Sequence, residues 1–194
     1  MDRDLMKGAL FVHMVEFAQK ELGQNDAERV ISNLNLGTGA SYTSVGMYPV
    51  AEFMALHAAF SKRMKIVPEE FSHRFGIHTL PALVAGQDLS MSEHPFDFLE
   101  RIHGVIHRDV RKLYPNSNPP DIEVIERDGE RCLTLRYVSR RPLAAFCGGM
   151  LEATLETFKR SVNYGVERID PEPRIETYAE FRVFERLKSD AHVG

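Results

Sequence analysis

The chain has 194 residues, a formal net charge of -4 at pH 7, 43% hydrophobic and 27% charged residues, and two cysteines. That length allows one domain, at most with two lobes, and a pI near 6.1 lacks the basic footprint of a DNA or RNA binder. Cys132 and Cys147 are too few for a disulfide scaffold, and neither a secretory n-region nor an apolar run of membrane length is present, so a reduced, cytoplasmic protein without membrane insertion is expected.

After a short extension of five residues, Leu10, His13, Met14 and Phe17 fall on one stripe of a helix predicted over 6–22, with Gly23 as its stop. Asp26 is suited to cap a second short helix running to Leu34, and the GTGAS run that follows breaks regular structure. Pro49 stands at the start of a third helix, in which Phe53, Leu56, His57 and Phe60 recur at spacings of three and four, the pattern of a core-facing surface. Pro68 with Glu69 and Glu70 opens a fourth, expected to close at Gly76, and residues 77–85 are expected to be helical in spite of Pro81.

A longer helix is predicted from Pro95 to Leu113, with Leu99, Ile102, Ile106, Val110 and Leu113 as its buried stripe. At 100° per residue, Phe96, His103, His107 and Tyr114 form a second row beside it. After the breaker run PNSNPP the period changes: IEVIER, then Asp128-Gly129, then ERCLTLRYVS predicts two strands joined by a tight turn, because Asp-Gly tolerates the positive φ such turns need. A helix from Leu143 to about Phe158 follows, and then strands near 164–170 and 177–185, with Ala179, Phe181 and Val183 on one face. Helices first and an antiparallel sheet later predict an α+β fold.

The stretch RCLTLRYVSRR carries the most chemistry. If it is extended, Leu133, Leu135, Tyr137, Ser139 and Arg141 share a face that begins apolar and ends in a phenol, a hydroxyl and a guanidinium. Three such donors make a receptor for one or two carboxylates; a half-exposed strand end with solvated polar residues has the same spacing. His107 on a helix edge suits a metal or haem-iron ligand, or a satisfied core histidine. His103 and His107 are four apart, as two zinc-binding imidazoles would be, but Gly104, Val105 and Ile106 supply no carboxylate between them, so the HExxH pattern is not met. No GxSxG elbow, Walker loop or GxGxxG turn is present, and no nucleophile stands with a base, so an enzyme is not expected.

Taken in order, MKG at 6–8, YTSVGMYP at 42–49, FG at 75–76, VIHRDVRKLYP at 105–115, the Pro119-Pro120 pair and RYVSRR at 136–141 resemble the bacterial haem nitric oxide/oxygen-binding (H-NOX) family, which includes the haem domain of soluble guanylate cyclase. The resemblance runs from about Met6 to Glu185, and its most specific part is a YxSxR motif, met by Tyr137, Ser139 and Arg141. It implies a single H-NOX domain over 1–194, with a helical lobe at about 6–66 and a lobe of haem-anchoring helix and sheet at about 67–186. By position it makes His107 the proximal ligand of the iron of haem b (iron protoporphyrin IX), and gives the two propionates to Tyr137, Ser139 and Arg141. Leu10 and Pro120 align with residues that press on the haem.

In oxygen-binding members a tyrosine nine positions after the first YxSxR residue donates a hydrogen bond to bound oxygen; here that position is Phe146, which has no donor. The resemblance therefore implies binding of nitric oxide and carbon monoxide without a stable oxygen complex, although Thr79 is a candidate to line the same pocket and supply a hydroxyl. The cysteine positions of a structural zinc site found in some relatives are Ala144 and Phe146, so no zinc is expected. The family mechanism has nitric oxide arrive opposite His107 and loosen the helix from Pro95 to Leu113. Its partner would be a separate sensor histidine kinase, diguanylate cyclase or cyclic-di-GMP phosphodiesterase. Two other readings stay open on the residues alone: a haem-free ligand-binding or protein-interaction module of the same fold, and a metal-dependent enzyme using His103 and His107.

Overall fold

Met6 and Lys7 pair in a strand instead of opening the first helix. In the computed structural model, which describes residues 4–85, 94–101, 118–158 and 163–186, β1 (Leu5–Lys7) runs antiparallel to β2 (Met47–Pro49), with Met6 opposite Tyr48. Helix α1 (Gly8–Leu22) therefore starts two residues later than its periodicity suggests. Gly8 is required there, because a Cβ at this position would lie 2.0 Å from the Thr43 carbonyl oxygen and 2.6 Å from the Tyr48 ring. The MKG and YTSVGMYP stretches are thus two sides of one contact.

Gly23, at φ 84°, ends α1 and leads into α2 (Gln24–Ser32), where Asp26 lies in the first turn and pairs with Arg63 instead of capping. The buried stripe of α1 is Phe11, Met14, Phe17 and Ala18, turned slightly from the predicted one: Leu10 is half-buried, and His13 is bonded to Glu16 at 2.9 Å. Helix α3 (Val50–Met64) buries Phe53, Leu56, His57 and Phe60, as its spacing predicts.

Helix α4 (Pro68–Val84) runs through both Gly76 and Pro81. Proline removes one backbone donor from the ladder, which is tolerable here because Pro81 and Ile77, whose carbonyl that donor would have met, are on the exposed side. Phe71 and Phe75 of α4 join Phe11, Phe17, Phe53 and Phe60 in the first of two hydrophobic cores.

Residues 95–101 form a helical segment, α5, at the start of the helix predicted from Pro95 to Leu113. His103 and His107, with the rest of that prediction, lie outside the described residues. The second core is built where α5 and α6 (Ala144–Thr157) cover a four-stranded antiparallel sheet. Its strands are β3 (Asp121–Asp128), β4 (Cys132–Val138), β5 (Asn163–Arg168) and β6 (Tyr178–Arg186), in the order β3-β4-β6-β5. Leu133, Leu135 and Tyr137 of β4 face Val183, Phe181 and Ala179 of β6, so every second residue of both strands enters the core. Gly129, at φ 54°, makes the turn between β3 and β4 as Asp-Gly predicts.

Helix α6 belongs to both halves. Its Ala144, Cys147, Leu151 and Leu155 pack on the sheet, while Phe146 packs on Phe75 of α4 with ring centroids 5.0 Å apart. The two helices cross at glycines: a Cβ on Gly149 would lie 2.0 Å from the His73 carbonyl oxygen, and one on Gly76 would lie 2.3 Å from that of Phe146. Gly76 is therefore a crossing point and not the helix end that the sequence suggests.

His57 is a buried polar group in this frame. It joins α3 to α4 through a 2.7 Å hydrogen bond between its Nε2 and Ser72 Oγ, and burial pushes the imidazole down to about 4 from an ordinary 6.5. The unfolded chain binds this proton at higher pH than the folded one, so the contribution of a neutral His57 is complete above pH 6.5 and is lost as pH falls toward 4. At about 1.4 kcal/mol per pH unit the loss approaches roughly 3 kcal/mol. Urea unfolding between pH 7 and 4.5 is expected to show this decline in the wild-type protein and a shallower one in His57→Gln; parallel declines would refute it.

Candidate functional site

Strand β4 ends at Val138, before the motif does, so Ser139 and Arg141 do not continue the alternation that places Tyr137 in the core. Instead the chain bends through 139–143 into α6. The bend is held by the segment leading into the neighbouring strand β6: Ser139 N donates to Thr177 O at 2.9 Å, Ala144 N to Glu176 O at 3.0 Å, and Ala145 N to the Glu176 carboxylate at 2.7 Å. Glu176 thus supplies acceptors to the first turn of α6, where backbone donors have no helical partner. Arg168 fixes it in turn, pairing with Glu176 and, through Nε at 2.8 Å, with the buried Asp170.

Within this bend the three motif residues come together by a route the strand geometry does not suggest. Tyr137 Oη donates to the Arg141 carbonyl at 3.4 Å, and Arg141 N donates to Ser139 Oγ at 3.0 Å. Burial raises the Tyr137 phenol well above its ordinary 10.0, against the lowering effect of a hydrogen bond with Ser139, so it stays a protonated donor at any physiological pH. The Arg141 guanidinium, with its side chain only 7% exposed, meets a carboxylate: Nη2 lies 2.7 Å and Nε 3.4 Å from the two oxygens of Asp4. Arg141 alone of the three therefore meets a carboxylate, while Tyr137 and Ser139 hold its backbone, and a buried guanidinium so placed suits a ligand that bears carboxylates.

The other candidates lie on separate elements. Leu10 and Phe146 are half-buried against the first core, and Pro120 is half-buried just before β3. Thr79 is fully buried, one turn after Phe75, and its hydroxyl donates to the Phe75 carbonyl at 2.8 Å. His107 lies outside the described residues. Among those residues no three His, Cys, Asp or Glu side chains gather as a metal site.

The profile of the haem-NO-binding family matches residues 7–166. The chain belongs to this family. Solved structures agree on the fold. The unliganded Fe(II) H-NOX protein of K. algicida is 24% identical with a TM-score of 0.79, covering 94% of this chain and 97% of that one. The Fe(II)NO form of the S. oneidensis H-NOX is 18% identical with a TM-score of 0.79, covering 94% and 100%. The Shewanella woodyi H-NOX, in its Fe(II)CO state with IWP-051 bound, is 27% identical with a TM-score of 0.77, covering 97% and 99%. No curated protein matches the chain significantly.

In this H-NOX chain two site features escape sequence reasoning. Asp4, paired with a residue 137 positions away, carries no local signal. The Arg168, Asp170 and Glu176 group looks like ordinary strand-end charge until the sheet brings it under α6. No helix among the described residues is long and apolar enough to cross a membrane.

Proposed function

We propose that this H-NOX protein carries haem b and senses nitric oxide and carbon monoxide without forming a stable oxygen complex. It has no catalytic activity of its own and signals to a separate protein, a sensor histidine kinase or a cyclic-di-GMP enzyme. The observation that carries the reading is the buried Arg141 guanidinium, set by Tyr137 and Ser139 at the head of α6 and engaged with a carboxylate. When bound, the haem supplies a ferrous iron with a coordination position open to a diatomic gas.

His107 of the VIHRDVRKLYP motif would hold the iron, while Tyr137, Ser139 and Arg141 would receive the propionates, and Leu10 and Pro120 would press on the ring. The NO and CO states of the S. oneidensis and S. woodyi relatives support the choice of gases. Oxygen needs a hydrogen-bond donor beside it to be held stably, whereas nitric oxide bonds ferrous iron strongly without one. Phe146 has no donor, and the Thr79 proton is committed to the Phe75 carbonyl, so neither helps oxygen.

For a signal to leave the site, the helix predicted from Pro95 to Leu113 would have to move, and its described first turns, α5, are tied to the sheet. Arg127 of β3 pairs with Asp97 at 2.7 Å and Glu100 at 2.9 Å, and Phe96 and Leu99 are anchored in the second core. A partner protein then reads the position of that helix, provided it binds the two arrangements with different affinity.

The test is the visible spectrum of the ferrous protein, purified from cells supplied with haem. A red protein is expected, with a Soret band that moves under nitric oxide and under carbon monoxide and stays in place in air. A colourless protein would favour the haem-free module. Phe146→Tyr is expected to raise oxygen affinity roughly 10- to 100-fold, the worth of one new hydrogen bond to a charged acceptor, and to give an oxygen-bound spectrum in air. If Phe146→Tyr behaves as the wild type, Phe146 does not govern gas choice.

A further inference from the structure

Asp4 is held from two sides. Its carbonyl accepts the Val50 N–H at 3.0 Å and the residues after it pair in β1, so its backbone is tied to the start of a paired strand. Its carboxylate takes the Nε and Nη2 edge of Arg141, and Asn118, from the segment entering β3, donates to the same Oδ1 at 3.3 Å. Nη2 also donates to the Leu5 carbonyl at 2.9 Å. One edge of the fork is thus matched by Asp4 and by Leu5, the first residue of β1, and the direction of a rigid, planar guanidinium follows from one edge.

Two physical needs are met together. A buried guanidinium is costly without a counter-charge, and Asp4 provides one whether or not another carboxylate is present. Burial alone would raise the Asp4 carboxyl, but hydrogen bonds from Arg141 and Asn118 and the charges of Arg141 and Arg140 hold it below its ordinary 3.8, so it is ionised at neutral pH.

We infer that Asp4 is a positioning residue for the porphyrin carboxylates, acting through Arg141 by fixing the plane of its guanidinium before the haem arrives. The inference rests on the haem reading above. It assigns a role to the segment before the MKG motif, and it makes the grip on the carboxylates depend on β1 remaining paired with β2.

The test compares iron protoporphyrin IX with its dimethyl ester, which has the same ring and no ionised carboxylates, on the full chain. The rate of porphyrin loss to an excess of a haem-scavenging protein is read for the wild type, Asp4→Asn, Asp4→Glu and Arg141→Ala. Asp4→Asn is expected to speed loss of the diacid roughly ten-fold and to leave loss of the ester unchanged, with Asp4→Glu recovering part of the difference. Equal acceleration for both porphyrins would make Asp4 a merely structural residue and overturn the inference. So would no change, or slower loss of the diacid, which would mark Asp4 as a competitor. If Arg141→Ala speeds loss of the diacid while Asp4→Asn does not, the inference falls and the haem reading stands. A wild-type protein that takes up neither porphyrin overturns both. Should Asp4→Asn fail to accumulate folded, Asn118→Ala, which removes one bond to the Asp4 carboxylate, is read in the same way: a smaller acceleration for the diacid alone supports the inference, and none overturns it.

Discussion

Gly149→Ala is expected to destabilise the protein by about 3 kcal/mol, the upper part of the range for overpacking a filled interior. The added methyl would lie 2.0 Å from the His73 carbonyl oxygen and 2.9 Å from its carbon, both backbone atoms, so no side chain can turn aside to make room. The helices α4 and α6 have to separate, and both cores lose contacts because α6 serves each of them. For a domain of this size the midpoint of thermal unfolding should fall by roughly 6–12 °C. Gly76→Ala, whose methyl would meet the Phe146 carbonyl at 2.3 Å, forces the same separation from the other helix. The double variant should therefore cost less than the two single ones together, because helices already apart accommodate the second methyl more easily. Strict additivity, or a shift below about 2 °C for Gly149→Ala, would show that the crossing yields without strain.

His107→Gly is expected to abolish haem retention through ordinary purification, and free imidazole added during haem loading should restore a Soret band, because the deleted ring leaves a gap of its own shape. His103→Ala should keep haem. Helical periodicity does not draw this distinction: on the predicted helix, eleven residues at 100° would bring position 107 to within about 20° of the face of Phe96, and seven would bring position 103 about 20° to the other side. Phe96 is buried against the sheet, which fixes the direction of the first turns of that helix. The position of His107 within the VIHRDVRKLYP motif makes the choice. If His103→Ala loses haem and His107→Gly keeps it with an unchanged spectrum, the ligand has been misassigned and the carboxylate end of the site must be reconsidered with it.

Much of this architecture is written in local pattern. The Asp-Gly turn, the alternation through β4 and β6 and the three-four spacing in α3 each reflect one residue's neighbours within a few positions, and the structure has all three where expected. The haem-NO-binding family was legible for a related reason, since its motifs are short, ordered and rich in residues with special backbone or bonding needs, such as Gly8 beneath Thr43 and Tyr137 behind Arg141. Where the local signal misled, a distant partner had overruled it. Gly76 looks like a helix end because glycine costs a helix conformational entropy, but a second helix packed backbone to backbone compensates for that cost.

The same division runs through the candidate site. By itself the amino-acid sequence determined which groups are available: an imidazole in the VIHRDVRKLYP motif, a phenol, a hydroxyl and a guanidinium within five positions, and a phenyl at position 146. Only the tertiary structure decided how they are held. It turned Arg141 out of the strand through the bend fixed by Glu176, spent the Thr79 proton on its own helix, and set Asp4 against the guanidinium. Strand and helix periods are properties of a few consecutive residues, whereas the orientation of a charged group depends on whichever opposite charge the folded chain brings beside it, and that is decided by the packing of elements far apart in sequence.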